Sequence, residues 1–368
     1  MSGLDRCKSS IKMLEPFEHF LRSRMVKAIG MLMPRRRFLL GGTALLLYFV
    51  GPLHSQNVTT WKDPSPHAIR FVSVGDNVRL EVLDWGGSGR PVLLLAGGGD
   101  TAHVYDDFAP KLTARNHVYG ITRRGFGASG YADPTNVDQR LGEDVLAVID
   151  ALKLDKPILV GHSFAGAELS WMANTHPNRI AGLVYVEAGY SYAFDNGNGA
   201  PVAEMMKLKA PDPPPPTAAD LVSFRALEKY DKRVNGFTFP EAELREERQA
   251  KPDGSVGDWR NPPGGAMLMK LINGGKKYTK VPVPSLFIFA NPHDQGTWVD
   301  SNPDSSVRRS AKAYSDALAI LTEKQEKAVE QGLPTAHVVT LHGANHFVFL
   351  SNEADVLRSM SRFFTELH

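Results

Sequence analysis

Cysteine is almost absent from this chain of 368 residues, which contains only Cys7. A single thiol forms no disulfide within the chain and supplies no cysteine-ligated metal site, so the folded part must rely on core burial for its stability. With 42% hydrophobic and 22% charged residues, the composition is that of a globular protein long enough for one large domain or two small ones.

An excess of positive charge is missing from most of the chain. The formal net charge is +2, but residues 1–56 carry nine Lys and Arg against three Asp and Glu, which leaves 33 basic and 37 acidic residues in the remainder. The remainder is therefore mildly acidic. We expect no nucleic-acid partner, because a nucleic-acid-binding surface would need a basic patch.

A hydrophobic run long enough to span a membrane is also lacking near the amino terminus. The apolar stretch 38–50 is shorter than the about 20 residues that a span requires, but it has the length of a signal h-region. It follows three arginines, and the order Arg35-Arg36-Arg37-Phe38-Leu39 resembles the twin-arginine export signal of bacteria. Residues 1–56 are therefore predicted to be an export segment, with the export machinery as a partner and the periplasm or the exterior as destination. An uncleaved membrane anchor and a basic tail beside a short buried helix are the alternatives.

From His67 onward, apolar runs of strand length alternate with helical patterns, which is typical of an α/β domain with a mostly parallel sheet. Helices are predicted over 140–152, from Phe164 onward and over 352–367, the last with an apolar stripe of Val356, Met360 and Phe363 or Phe364. The predicted strands are 69–74, 79–85, 92–95, 118–122, 158–160, 183–186, 285–289 and 338–341. Residues 57–188 and 281–368 are assigned to one core.

The alternation breaks between residues 189 and 280. The sequences PDPPPP and NPPGG interrupt helical patterns at 221–233 and 241–250, because Pro and Gly at this density prevent continuous sheet or a long helix. The apolar side chains of the segment are more numerous than a solvated linker needs. We therefore predict a partly helical cap over the core, with a flexible linker as the alternative, and a second helical insert at 307–331.

A serine stands at the junction of a predicted strand and helix, in Gly161-His162-Ser163-Phe164-Ala165. This is the setting of the G-x-S-x-G nucleophile elbow, a sharp turn that exposes the serine at the top of the sheet. The turn strains the serine backbone, so the residues two before and two after it must be small. Ala165 replaces the second glycine and adds one methyl group. Ser163 is the candidate nucleophile.

A serine hydroxyl needs a base to remove its proton, and the base needs a carboxylate to hold its tautomer. In chain order serine, acid, histidine, the candidate base is His346, after the last predicted strand, and the candidate acid is Asp294, after the preceding one. Glu187, at the end of the strand before the cap, competes with Asp294 for this role. A metal-binding reading of His346 with His342 is disfavoured, since no cluster of further ligands accompanies the pair.

Two backbone N–H groups are expected to stabilise the oxyanion of acyl transfer. Phe164, the residue after the nucleophile, supplies one. The other is assigned to the glycine run that follows the strand 92–95, with Gly98 preferred and Gly99 second. This run lacks the G-x-G-x-x-G spacing and the lysine of nucleotide-binding loops, so no nucleotide cofactor is predicted.

With the elbow, the triad order and the turn TRRGFGASG, the chain from His67 to His368 resembles the α/β-hydrolase family. Arg124, Gly125, Gly127 and Ser129 match the family's D-x-R-G-x-G-x-S turn, with Thr122 in place of the usual Asp. The usual His-Gly before the oxyanion residue is Ala96-Gly97 here. A serine at position 163 argues against the epoxide hydrolase and dehalogenase branches, because those use an aspartate nucleophile.

The resemblance implies the α/β-hydrolase fold, a mostly parallel central sheet flanked by helices with a helical cap insertion. It implies a serine hydrolase that cleaves a small ester-like molecule without cofactor or metal. An aminopeptidase or amidase and a hydrolase of carbon–carbon bonds keep the same triad, and a non-catalytic binding protein on the same fold is a further alternative. The candidate pocket residues in the cap are Met205, Met206, Trp259 and Met267.

Overall fold

The computed structural model describes residues 61–367, except for the side chains of residues 273 and 274. The predicted export segment, residues 1–56, lies outside the described residues. Within the described range, no helix combines the length and the hydropathy of a membrane span.

Eight strands form one central sheet in the order β1-β2-β4-β3-β5-β6-β9-β10. β2 pairs antiparallel with both β1 and β4, and all other neighbours are parallel. The strands are β1 Ala68–Ser73, β2 Arg79–Gly86, β3 Arg90–Leu95, β4 Asn116–Ile121, β5 Ile158–His162, β6 Gly182–Val186, β9 Ser285–Ala290 and β10 His337–Leu341. All eight strands predicted from the apolar runs are present, and the predicted mostly parallel sheet is confirmed.

The central strands are apolar along their whole length because both faces of the sheet are covered. Successive residues contribute alternately to two hydrophobic clusters, one on each face: in β9, Phe287 and Phe289 belong to one cluster and Leu286 and Ile288 to the other. The carboxyl ends of the parallel strands meet at one edge of the sheet, so the loops that follow β3, β5, β6, β9 and β10 lie together.

Helices flank the sheet on both sides. The predicted stripe of Val356, Met360 and Phe363 is confirmed: all three are buried in the cluster on one face, while Leu141, Val145 and Leu169 are buried in the cluster on the other. The core helices are α1 Val137–Ala151, α2 Ala165–Thr175, α7 Thr297–Asp300, α8 Ser305–Gly332, α9 Val348–Ser351 and α10 Glu353–Glu366. The second helical insert is present as α8.

Between β6 and β9 the chain forms short elements, as the Pro and Gly content predicts. These are α3 Val202–Met205, α4 Phe224–Asn235, α5 Glu241–Glu247, β7 Arg248–Ala250, β8 Val256–Trp259 and α6 Gly265–Gly274. The helix predicted over 241–250 was too long, since its last three residues form β7, which pairs antiparallel with β8. Glu243 of α5 accepts hydrogen bonds from the N–H and hydroxyl of Thr101, and these contacts hold this segment against the loop after β3.

Candidate active site

Ser163 lies in a sharp turn between β5 and α2, with a positive φ of 50° that a residue bearing a Cβ rarely adopts. Its N–H donates to the carbonyl oxygen of Val186 at 3.1 Å, which fixes the turn to the end of β6. A Cβ at Gly166 would lie 2.1 Å from the carbonyl oxygen of Ala188, so a glycine is required there for α2 to start this close to the chain after β6. The elbow predicted from the motif has the expected local geometry.

His346 lies in the loop between β10 and α9 and is oriented by Glu187. Its Nδ1 donates to Oε2 of Glu187 at 3.0 Å, and Glu187 follows β6 directly. The backbone oxygen of His346 lies 3.1 Å from Nε2 of His162, the residue before the nucleophile. The loop of the histidine is therefore held against the nucleophile turn by a side chain of that turn.

The carboxylate of Glu187 is completely buried and is held by several donors besides His346. It accepts hydrogen bonds from the hydroxyl of Tyr190, from the N–H of Ala290 at 2.7 Å, and from Nε2 of His293 at 2.7 Å. Burial alone would raise the pKa of Glu187, but the contacts with His293 and His346 outweigh it and hold that pKa well below the ordinary value of 4.5. The site therefore contains an anionic carboxylate behind the histidine.

The structure does not bring Asp294 to His346, and the choice of Asp294 over Glu187 is corrected accordingly. The Asp294 side chain is exposed, and its Oδ1 accepts the N–H of Gly296 at 2.9 Å. A short carboxylate after a strand closes such local turns readily. The competing residue, Glu187, occupies the position that the base requires.

His293 was missed by the sequence reasoning, although it directly precedes Asp294. It is buried, shares Oε2 of Glu187 with His346, and its backbone oxygen accepts the hydroxyl of Ser315 on α8 at 3.0 Å. The signal was available in the sequence as a second histidine in a loop at the same edge of the sheet.

The predicted oxyanion residues come together in the structure. A Cβ on Gly98 would lie 2.3 Å from the ring of Phe164, so the glycine loop packs directly on the residue after the nucleophile. The guanidinium of Arg123 donates to the carbonyl oxygens of Ala96 and Gly97 and forms a two-point ion pair with Glu168 of α2. Arg123 therefore fixes the loop through its carbonyl groups, in a chain that lacks the usual His-Gly.

A cavity of about 480 Å³, open to solvent, connects these groups. Phe164 and Tyr192 form part of its wall, with their rings 5.3 Å apart. The cavity is lined by Ser163, Phe164, Tyr190, Tyr192, Val202, Met205, Met206, His293, Tyr314, Leu318 and His346. Met205 and Met206 were predicted pocket residues. Trp259 instead packs under the guanidinium of Arg248, and Met267 is wholly buried in the core.

Glu187, His293 and His346 present their donor atoms close together, as metal ligands do. However, both histidines contact the same carboxylate oxygen at 2.7 and 3.0 Å. Ligand atoms around a zinc ion with bonds of about 2.0–2.2 Å lie about 3.3 Å apart. The short contacts are hydrogen bonds, and the trio fits a histidine-orienting carboxylate better than a metal site.

The sheet order, the strained serine turn and the buried carboxylate–histidine pair define a class of α/β enzymes with a serine at the carboxyl edge of the sheet. The chain belongs to the alpha/beta hydrolase family, whose family model matches residues 92–359. It is a hydrolase by family.

Relatives of known description share parts of this chain. A pyrethroid hydrolase from Sphingobium wenxiniae is 32% identical over 102 residues, covering 26% of this chain and 35% of that protein. A putative carbamate hydrolase, RutD, from Caulobacter segnis is 36% identical over 115 residues, covering 30% of this chain and 43% of that protein. The chain thus matches less than half the length of these curated relatives.

Solved structures with the same fold include the carboxylesterase CesB from Bacillus subtilis. That structure has a TM-score of 0.51 at 15% identity, covering 82% of this chain and 92% of the esterase. An E-2-(acetamidomethylene)succinate hydrolase has a TM-score of 0.55 at 18% identity, covering 81% of this chain and 99% of that one. At such low identity these likenesses establish the fold alone.

Proposed function

We propose that this chain is a serine hydrolase that cleaves small carboxylic esters, with Ser163 as nucleophile, His346 as general base and Glu187 as the carboxylate that orients it. The observation that carries the proposal is the hydrogen bond from His346 Nδ1 to the buried Glu187 at 3.0 Å. The strained Ser163 and His346 line the same cavity.

The proposed chemistry follows from the tautomer that Glu187 imposes. A carboxylate accepting from Nδ1 leaves Nε2 of His346 as the basic nitrogen, which takes the proton of Ser163 as its oxygen attacks the ester carbonyl. The protonated imidazole then gives that proton to the leaving alcohol, and an acyl-enzyme remains. Water activated by the same nitrogen attacks the acyl carbon, the carboxylic acid is released, and Ser163 regains its proton.

The oxyanion of each tetrahedral intermediate needs donors held in place beforehand. The proposed donors are the backbone N–H groups of Phe164 and Gly98. Support comes from the packing of Gly98 on Phe164 and from Arg123, whose hydrogen bonds to the carbonyl oxygens of Ala96 and Gly97 keep the loop in one conformation.

The cavity favours an uncharged substrate with an apolar acyl or alcohol group. Its lining residues include two methionines, a valine, a leucine and three tyrosines, and none of the described residues that line it is an Asp, Glu, Lys or Arg. An aminopeptidase would need an acidic group to bind the free amino terminus. The acidic candidates Glu204 and Asp220 instead pair with Lys207 and Arg233 outside the cavity. The printed names of the relatives, hydrolases of pyrethroids and carbamates, agree with a carbonyl substrate bearing an alkoxy group.

The first experiment is labelling of the purified wild type, Ser163→Ala and the surface control Ser306→Ala by a fluorophosphonate probe, read by intact mass. We expect one adduct on the wild type and on Ser306→Ala and none on Ser163→Ala. Turnover of p-nitrophenyl acetate should fall by about 10⁴-fold or more in Ser163→Ala, because triad members act as a unit. Labelling or turnover that survives in Ser163→Ala would exclude Ser163 as the nucleophile.

A further inference from the structure

A compact cluster of two histidines and two carboxylates lies at the start of the described chain. It consists of Asp63, His67, His103 and Asp106, each with a nitrogen or oxygen atom within 4.8 Å of the others. Asp63 and His67 precede β1, whereas His103 belongs to the 3₁₀ turn Ala102–Tyr105 and Asp106 follows it. Three of the side chains are at most 7% exposed and that of Asp63 is 20% exposed. None of the four lines the Ser163 cavity.

The hydrogen bonds of His67 leave a lone pair facing a carboxylate. Nδ1 of His67 lies 2.8 Å from Oδ1 of Asp106, and because a carboxylate can only accept, this nitrogen is the donor. The other nitrogen of a neutral His67, Nε2, then carries a lone pair, and it faces Oδ2 of Asp63 at 3.5 Å. Two acceptors in this position repel each other unless a cation lies between them.

His103 shows the same conflict from the other side. Its Nδ1 lies 3.0 Å from Oδ2 of Asp106 and 3.4 Å from Oδ2 of Asp63. One proton on Nδ1 is directed to one carboxylate only, and Oδ2 of Asp63 is a buried atom without a hydrogen-bond partner among residues 61–367. Its sister oxygen is fixed by the N–H of Ser65 at 2.8 Å, so Oδ2 remains aimed into the cluster.

The charges of the cluster also call for a cation. A third carboxylate, Glu81, faces Nε2 of His103 at 3.8 Å. Among the described residues, no Lys or Arg forms an ion pair with Asp63, Glu81 or Asp106. Three largely buried carboxylates are thus matched only by two imidazoles, which are neutral in their unprotonated form.

We infer that Asp63, His67, His103 and Asp106 bind a zinc ion, through Oδ2 of Asp63, Nε2 of His67, Nδ1 of His103 and Oδ2 of Asp106. The separations of 3.0, 3.4 and 3.5 Å between these atoms are close to the about 3.3 Å edge of a tetrahedron with zinc–ligand bonds of about 2.0–2.2 Å. Oδ1 of Asp106 and the carboxylate of Glu81 then serve as the outer partners that fix the orientations of His67 and His103.

Four protein ligands close the coordination sphere, which is the pattern of a structural zinc site. The site joins the segment before β1 to the turn that begins two residues after Asp100, directly behind the glycine loop. It departs from the expectation of a metal-free protein. The sequence did not reveal it, because the two ligand pairs are separated by the whole of β1, β2 and β3.

The test measures zinc by elemental analysis and thermal unfolding on the untagged full chain, before and after treatment with a chelator. The variants are Asp63→Asn and His67→Gln, and the matched control is His117→Gln, which removes a histidine paired with Asp84 at 2.8 Å on β4. Ser163→Ala serves as a second control, because zinc binding should be independent of the catalytic serine.

We expect one zinc per chain in the wild type and both controls, with a Tm that falls by about 5 °C on chelation and recovers with added zinc. Asp63→Asn and His67→Gln should bind zinc more than about 100-fold less tightly, since loss of an outer partner alone costs about 10- to 100-fold. Their Tm should no longer respond to the chelator. A wild type that neither retains nor takes up zinc would overturn the inference, and so would equal zinc in all variants.

Discussion

At the scale of single residues, Glu187 carries the most tightly determined environment in the site. Its carboxylate accepts from two histidines, a tyrosine hydroxyl and a backbone N–H, while its own backbone adopts a positive φ of 49°. Such strain persists only where the surroundings fix it. The neighbours of Glu187 therefore specify both its charge and its position behind His346.

A comparison of two acid variants tests this role. Glu187→Gln removes the negative charge that stabilises protonated His346, so we expect kcat to fall by about 10³- to 10⁴-fold. Asp294→Asn is the matched control, and its kcat should stay within about twofold of the wild type, because its side chain is exposed and accepts only a local N–H. The measurement is steady-state kinetics with p-nitrophenyl acetate. The reverse pattern would assign the acid to Asp294.

The low pKa of Glu187 also predicts a pH dependence of stability. Because its folded-state pKa lies below the ordinary 4.5, its contribution is fully present above that value and is lost as the pH falls further. The difference in unfolding free energy between the wild type and Glu187→Gln should therefore shrink by about 1 kcal/mol from pH 7 to pH 4. Urea unfolding at both pH values measures it, and a constant difference would show that Glu187 is not held ionised.

Residues with a local signature were predictable and those chosen by tertiary approach were not. Ser163 was found because the elbow needs small neighbours, and His346 because it follows the last strand. Glu187 and Asp294 both follow strands at the same edge, and the sequence does not say which loop turns toward the base. The Asp-x-Gly spacing of Asp294 and Gly296 does indicate a local turn that engages the aspartate.

At the scale of elements, the approach of α2 to the end of β6 sets the nucleophile turn. A methyl group on Gly166 would meet the backbone carbonyl of Ala188, which cannot rotate away as a flexible side chain would. The helix and the loop after β6 therefore depend on one glycine for their spacing.

Gly166→Ala should lower the free energy of unfolding by about 1–3 kcal/mol, since the added methyl forces the backbone apart. Gly265→Ala is the control: this glycine begins α6, and a Cβ there meets nothing within 4 Å. Its stability should be unchanged or rise by up to about 1 kcal/mol. Urea denaturation of both variants gives the values, and equal stabilities would refute the close-approach reading.

Elements were predictable where one periodicity ran unbroken. The eight sheet strands are short apolar runs, and α10 presents a single stripe. The pair of strands β7 and β8 was missed because the helical pattern from Glu241 continues into Arg248, although Asp253 and Gly254 between them are typical of a hairpin turn. Pairing with β8 overrides the helical preference of those last residues.

At the scale of the whole molecule, the cavity is assembled from distant segments: the elbow, α3, the loop after β9 and the long helix α8. Tyr314 and Leu318 of α8 line it beside Met205 and Met206. The sequence predicted α8 and a cap but not that α8 would share the cavity, because its seating depends on packing across the sheet.

Leu318→Trp should narrow this cavity and shift the substrate preference toward short acyl chains. We expect the ratio of kcat/KM for p-nitrophenyl octanoate to that for the acetate to fall by about 10-fold or more. Ile320→Trp is the control on the same helix, because Ile320 is 68% exposed and should leave the ratio unchanged. An unchanged ratio in Leu318→Trp would place the acyl group elsewhere.

The contacts that build the site join parts of the chain that are far apart in sequence. His346 and Glu187 are 159 residues apart, His162 and His346 are 184 apart, and Thr101 and Glu243 are 142 apart. Closing loops of that length is slow and is rewarded only when both ends have structure. The helices and local turns therefore form first, and a refolding chain acquires its secondary structure well before its catalytic competence.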